Sequence, residues 1–362
     1  VSLVDSIMIL IIQIFAAIAT GGAVVAGQFL GAKEEDNACS AANQLVLFIA
    51  ALSVGVMALV YLLRGFILHQ VFGQISPEVM AYCSTYLDIV SLSIPFIALY
   101  NGGAALFRTM GNSKISMYTS LLMNAINVVG NAILIYGFKM EVAGAAIPTL
   151  FSRIVAAVVM IALLRNPKLL VHLKRPFVLR FNGGLIKRIL YIGVPNGLEN
   201  SMFQLGKIML LSLVSGFGTA AIAANAVGNT LATFMVLPGM ALGFAVITVI
   251  SRCIGAGDYE QARYFTKKLL KITYLSMLVT NILVVVAMPV IVKLYNLSEV
   301  ASTIAMQIIL SHGIAAILIW PLAFTLPNTL RAANDVKFSM VISILSMWIF
   351  RIGFSYILAI YF

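Results

Sequence analysis

Asn196, Asn200, Gln204 and Lys207 recur at four, four and three residues inside an otherwise apolar run, 186–213. On a helix they fall within about 80° of one another, and Glu199 flanks the stripe. Amides that donate and accept, one acid and one base suit a wet crevice inside a bilayer, where a lone polar group is costly. Glu199 would bind Na⁺, a proton or a cationic solute, and neutralising it would change how its helix prefers to pack. The plainer alternative is interhelical hydrogen bonding, with Glu199 paired to a nearby Lys or Arg.

The other polar positions in apolar runs divide the same way. Asn124, Asn127 and Asn131 share one helical face of 115–137, and Asn225, Asn229 and Thr233 repeat every four residues in 220–250. Each set could line a cavity or join helices. Asp88 could be a cation ligand or a solvated residue at a cavity mouth. Arg64, Lys293 and Arg351 have stems long enough to snorkel, whereas Arg153 lies deeper and reads as a structural ion-pair partner. Pro321 and Pro327, beside Trp320 and Phe324, mark a helix that could bend during transport. Cys39, Cys83 and Cys253 have no metal or redox spacing and read as small apolar fillers.

These positions need helices to hold them. Hydrophobic residues make up 62% of the chain and charged residues 10%, against roughly 25% charged in a soluble domain. Ten runs reach the length of about 20 residues needed to cross a bilayer: 4–29, 44–72, 80–107, 115–137, 143–164, 186–213, 220–250, 267–295, 300–330 and 337–362. Strict two-residue alternation is absent, so the spans are helices, which satisfy their own backbone groups in lipid. Fifteen Lys or Arg sit in or beside the connectors 30–43, 108–114, 165–185, 251–266 and 331–336, and one, Lys139, in the opposite set. By the positive-inside rule the first set is cytoplasmic. The net charge of +11 is thus a topology signal and gives no reason to expect a nucleic-acid partner.

The chain also repeats itself. Gly31-Ala32 and Ala38 recur as Gly255-Ala256 and Ala262, an offset of 224; Arg108, Lys114, Ser116 and Met117 recur as Arg331, Lys337, Ser339 and Met340, an offset of 223. Six spans separate the copies, so the halves are parallel repeats about an axis along the membrane normal. A six-helix unit implies twelve helices, and the chain is expected to hold ten of them, without the first and last. The expected organisation is an all-α polytopic membrane protein of two pseudo-symmetric bundles, 1–164 and 186–362, joined by a basic linker, 165–185. Acids at 34–36, 258 and 260 are expected to cap the helices that follow the Gly31 and Gly255 turns.

The runs Gly21-Gly22-Ala23-Val24-Val25-Ala26-Gly27-Gln28-Phe29-Leu30-Gly31-Ala32, Phe107-Arg108-Thr109-Met110-Gly111-Asn112-Ser113-Lys114 and Val194-Pro195-Asn196-Gly197-Leu198-Glu199-Asn200-Ser201 together resemble the MATE family of multidrug and toxic compound extrusion transporters, in the right order along essentially the whole chain. The resemblance implies twelve helices in two six-helix bundles, and export of organic, often cationic, compounds in exchange for Na⁺ or H⁺. It also implies acids that are missing here: one on the family's first helix, and an Asp in 300–330, where this chain offers Gln307, His312, Trp320 and Thr325.

The expected function is therefore secondary-active efflux by cation antiport from the cell membrane, by a monomer with no cofactor, whose bundles rock about a cavity to give alternating access. A lipid-linked saccharide flippase of the same superfamily is the alternative, and would need a strongly cationic cavity. The enzyme motifs HExxH, GxSxG and the P-loop are absent from the sequence, so neither an enzyme nor an ATP-driven pump is expected.

Overall fold

A computed structural model describes the chain apart from residues 1, 72–75, 175–176, 178 and 362. Arg175, Pro176 and Val178 of the expected linker, and residues 73–75 of the expected outer connector 73–79, lie outside the described residues.

The described chain is helical throughout: α1 (Ser2–Gly31), α2 (Glu35–Leu62), α3 (Pro77–Ser91), α4 (Ile94–Thr109), α5 (Ser113–Ala132), α6 (Glu141–Leu164), α7 (Gly183–Ser215), α8 (Thr219–Gly255), α9 (Tyr259–Leu294), α10 (Glu299–Leu318), α11 (Leu326–Ala332), α12 (Val336–Ser346) and α13 (Phe354–Tyr361). A one-turn helix, Arg64–Phe66, follows α2. Four π-helical segments interrupt the spans: Ile67–Val71, Ile133–Gly137, Pro321–Thr325 and Met347–Gly353. Such segments are uncommon and tend to mark functional positions.

Among the described residues, eight helices are long and apolar enough to cross a membrane, or nine if α3 and α4, bent by 46°, form one broken span. The tenth expected span, α7, is one helix of 33 residues. Its polar stripe, Asn196 to Lys207, makes it less apolar than the rest, so the feature that nominates it for function also weakens its signature as a span. Side chains such as Leu62, Val286 and Leu283 are 82%, 74% and 63% exposed, as a lipid-facing belt requires.

Two expectations about the connectors change. The basic connectors 30–43 and 251–266 are mostly helix: α2 begins at Glu35, α8 ends at Gly255 and α9 begins at Tyr259. Hydropathy falls where a span leaves the hydrocarbon, but the helix continues. Of the acids expected to cap, Asp258 accepts from Gln261 N at 2.9 Å. Glu34 stands at the N-cap position without a side-chain cap and instead accepts from Asn37 Nδ2 at 2.8 Å.

The repeat is visible in the turns. Lys33 and Gly257 both take left-handed backbone, φ 63° and 71°, as do Gly111 and Asn334 at 81° and 67°. Each pair closes its helix with the same two bonds. Lys33 N reaches Leu30 O and Glu34 N reaches Phe29 O; Gly257 N reaches Ile254 O and Asp258 N reaches Cys253 O. These are helix C-terminal turns that need one left-handed residue.

The chain forms two compact units, 1–200 and 201–362. In the first, α1 packs on α2 and α4, α4 on α6, and α6 on α5, around Phe15, Leu45, Ile49, Leu106, Phe107 and Met160, all under 2% exposed. The described residues of 165–182 are folded onto this unit. Leu173 N donates to Leu164 O at 2.8 Å, Val171 and Leu173 are buried, and Gln44 bonds Arg180 O and Asn182 N at 2.9 and 2.8 Å. Cys39 is buried there with its Sγ 3.6 Å from His172 Nδ1. The first half of α7 belongs to this unit too. A Cβ on Gly193 would meet Ile18 Cα at 2.9 Å, and one on Gly21 would meet Ile189 O at 2.3 Å, so α1 and α7 touch backbone to backbone. In the second unit, α8, α9 and α10 surround Val227, Leu231, Met235, Val292 and Ile309, while α8 and α9 meet α11 at Val246, Ile250, Ala262 and Ala332.

Candidate functional site

The α7 stripe is intact as a helical face, but its ends have different surroundings. Asn196 is 8% exposed and shares a buried face with Ile189, Ile192 and Gly193 against α1. Glu199, Asn200 and Gln204 are half-buried, and Lys207 is exposed. Lys207 places its ammonium 5.7 Å from the centre of the Phe203 ring one turn earlier.

The α5 amides form a connected set in the first unit. Asn127 Nδ2 donates to Thr149 Oγ1 of α6 at 2.9 Å, Asn131 Nδ2 donates to Asn127 Oδ1 at 3.2 Å, and Thr149 donates to Ala145 O at 2.9 Å. Asn131 Oδ1 is buried with no hydrogen-bond partner. An orphaned amide oxygen at the end of this amide chain, with the π segment Ile133–Gly137 directly after, suits a hard cation, which prefers oxygen ligands. Asn124 is exposed and stands apart from this set. In α8, Asn225 is half-buried and Asn229 exposed, and Thr233 donates to the Asn229 carbonyl at 2.9 Å.

Asp88 is not a lone acid. Its Oδ2 lies 2.9 Å from Arg64 Nη2, and the same Arg64 group donates to Ser84 Oγ. The arginine expected to snorkel closes an ion pair here.

Two groupings were not legible in the sequence. Tyr86 donates to Asp5 Oδ1 at 3.0 Å, and Arg153 Nη1 donates to Ser93 Oγ at 2.7 Å, within electrostatic reach of both Tyr86 and Asp5. Asp5 was passed over because it stands alone in its run; its partner is 81 residues away, across helices, where no periodicity points. Arg153 was expected to be an ion-pair partner, but its direct bond is to the buried hydroxyl of Ser93 at the break between α3 and α4.

The second grouping lies in the second unit. The Arg351 guanidinium sits 4.5 Å over the Phe203 ring that Lys207 also approaches. Phe203 meets Phe324 edge-on at 5.6 Å, and Phe324 stacks on Trp320 at 5.0 Å. Arg351 rides on the π segment Met347–Gly353, and Phe324 on Pro321–Thr325. The Trp320 and Phe324 pair named in the sequence for bending is thus part of an aromatic stack with two cations on it.

Comparison with known proteins accounts for the fold and the order of these elements. The MatE family model matches residues 1–133 and 195–357. The chain is 26% identical to the "Uncharacterized transporter YisQ" of Bacillus subtilis, over 99% of this chain and 78% of that protein. It is also 26% identical to the "Probable multidrug resistance protein YoeA" of the same organism, over 97% and 77%. A solved structure titled "Crystal structure of MATE in complex with MaL6" superposes with a TM-score of 0.92 at 19% identity, over 100% of this chain and 80% of that one. With two segments that together span most of its length matched, one on each side of the linker, this multi-pass membrane chain belongs to the MatE family of transporters.

Proposed function

We propose that this protein is a secondary-active exporter of small organic compounds, working by alternating access and driven by Na⁺ or H⁺ moving the other way across the cell membrane. In this reading the basic connectors, the 165–185 linker included, face the cytoplasm, and the linker joins the functional halves 1–164 and 186–362. The observation that carries it is the Asn127, Asn131 and Thr149 cluster, an oxygen-donor set with an orphaned acceptor inside a span of a transporter fold. Glu199 supplies an acid, on the helix whose residues are divided between the two units. A cation held by amide oxygens, or a proton on Glu199, removes a desolvation cost in one conformation and not in the other, and this difference couples ion to solute.

The test uses the purified protein in liposomes under an imposed Na⁺ or H⁺ gradient, with ethidium movement as readout. One gradient is expected to drive movement; Asn127→Ala and Glu199→Gln are each expected to slow it by about tenfold or more, a loss of roughly 1.4 kcal/mol of coupling. Movement driven by neither gradient would overturn the reading, and unchanged rates in both variants would overturn the site. The flippase reading fits less well, because Asp5, Asp88 and Glu199 put acids as well as bases inside the spans.

A further inference from the structure

Three bases converge in the second unit without an acid. Arg351 and Lys207 share the Phe203 ring, and Arg351 lies within electrostatic reach of both Lys207 and His312. His312 Nε2 is buried with no hydrogen-bond partner. Among the described residues, none of the three has a carboxylate within ion-pair distance.

A charge inside a bilayer is tolerated when it is paired, wet or both. Cation–π contact offsets only part of what holding two cations side by side inside a span costs. The group that balances this set is an anion. The aromatic wall indicates what carries it: Phe203, Phe324 and Trp320 form one continuous surface of edge-on and stacked rings beside the charges.

We infer that Arg351, Lys207 and His312, with Phe203, Phe324 and Trp320, form a subsite for an anionic oxygen group, sulfate, phosphate or carboxylate, borne on an aromatic body. The guanidinium fork binds two of the anion's oxygens, Lys207 adds a point charge, the His312 ring supplies a further donor, and the rings stack on the body. This deepens the export reading above and rests on it for the site's purpose: the transported compounds include aromatic anions or zwitterions, not cations alone.

The experiment reads binding with no gradient, so its failure is separate from failure of export. Two coumarin probes of matched ring size, one bearing a sulfate and one a trimethylammonium group, are titrated into the protein in phosphatidylcholine nanodiscs, with empty nanodiscs subtracted. Saturable binding of the sulfate probe is expected, at least about tenfold tighter than the ammonium probe. R351Q should weaken it by about tenfold and K207Q by about threefold. R351K keeps the charge but loses the fork, so its binding should fall between that of the unaltered protein and that of R351Q, which guards against a variant that merely misfolds. Loss of sulfate binding in phosphatidylglycerol nanodiscs would show a lipid phosphate competing for the same bases, and supports the anion site. Preference for the ammonium probe, no saturable binding of either probe, or sulfate binding unchanged in R351Q and K207Q would each overturn it.

Discussion

At the repeat offset of 223, Asn124, Asn127 and Asn131 of α5 correspond to Met347, Phe350 and Phe354 of the segment that joins α12 to α13. The frames agree. Each helix follows a left-handed turn, Gly111 or Asn334, closed by the same pair of backbone bonds, and each contains a π segment. The chemistry does not agree. In the first unit the face is an amide chain bonded to Thr149; in the second, Phe350 and Phe354 stack at 5.8 Å with Arg351 beside them. The two segments share backbone and turns and differ in their side chains at span depth, with oxygen donors in one unit and rings and a base in the other.

The largest expected effect separates the units through the helix they share. In its first half, α7 meets α1 backbone to backbone at Gly193, where a Cβ would have to displace a main chain. In its second half, a Cβ on Gly206 would meet Met347 Sδ at 2.9 Å, the end of a flexible side chain that can turn aside. Gly193→Ala is expected to cost about 1–3 kcal/mol by overpacking, beyond the roughly 1 kcal/mol that alanine returns in helix propensity. Gly206→Ala should be near neutral. Thermal unfolding of the detergent-solubilised variants checks this, and equal losses would erase the distinction between the halves of α7.

How much of this was legible follows from what each feature depends on. Turns and spans depend on local residue types, so the Gly31 and Gly255 copies announced matching helix ends two residues before the left-handed Lys33 and Gly257. The amides of α5 were legible because they share a helical face. Asp5 with Tyr86, Arg64 with Asp88, and Arg351 with Phe203 were not, because each joins helices whose rotation about their axes no sequence pattern fixes. The extent of α2 and α8 was underestimated because a helix is set by its hydrogen bonds, which continue past the point where lipid stops selecting apolar residues.

A smaller effect sharpens the contrast between the aligned faces. Asn127→Ala removes the bond to Thr149 and the acceptor of Asn131, and interhelical bonds of this kind average about 0.6 kcal/mol in membranes, up to about 1.7. Phe350→Ala removes a stacked pair worth about 0.5–1.5 kcal/mol. The stability losses are similar, so the decisive readout is functional. Asn127→Ala should change the dependence of transport on the driving ion and leave affinity for an aromatic anion alone; Phe350→Ala, outside the anion subsite, should leave the ion dependence alone. If both variants moved the same parameter, the two faces would not have diverged in role.

The smallest expected effect tests whether the shared turn is equally well built in both copies. Lys33 and Gly257 stand at equivalent positions with nearly equal φ, but only glycine adopts that conformation without a Cβ penalty. Lys33→Gly should relieve roughly 1 kcal/mol of local strain, reduced by the greater freedom glycine brings to the unfolded chain. Gly257→Ala should impose about the same strain, and a Cβ there meets nothing within 4 Å, so packing does not confuse the result. Amide exchange at Glu34 and Asp258, whose N–H groups close the two turns, reads the local change directly. Slower exchange in Lys33→Gly and faster exchange in Gly257→Ala are expected. The same sign in both would mean that the matched φ values conceal different turns, and that the repeat was kept in sequence but not in mechanics.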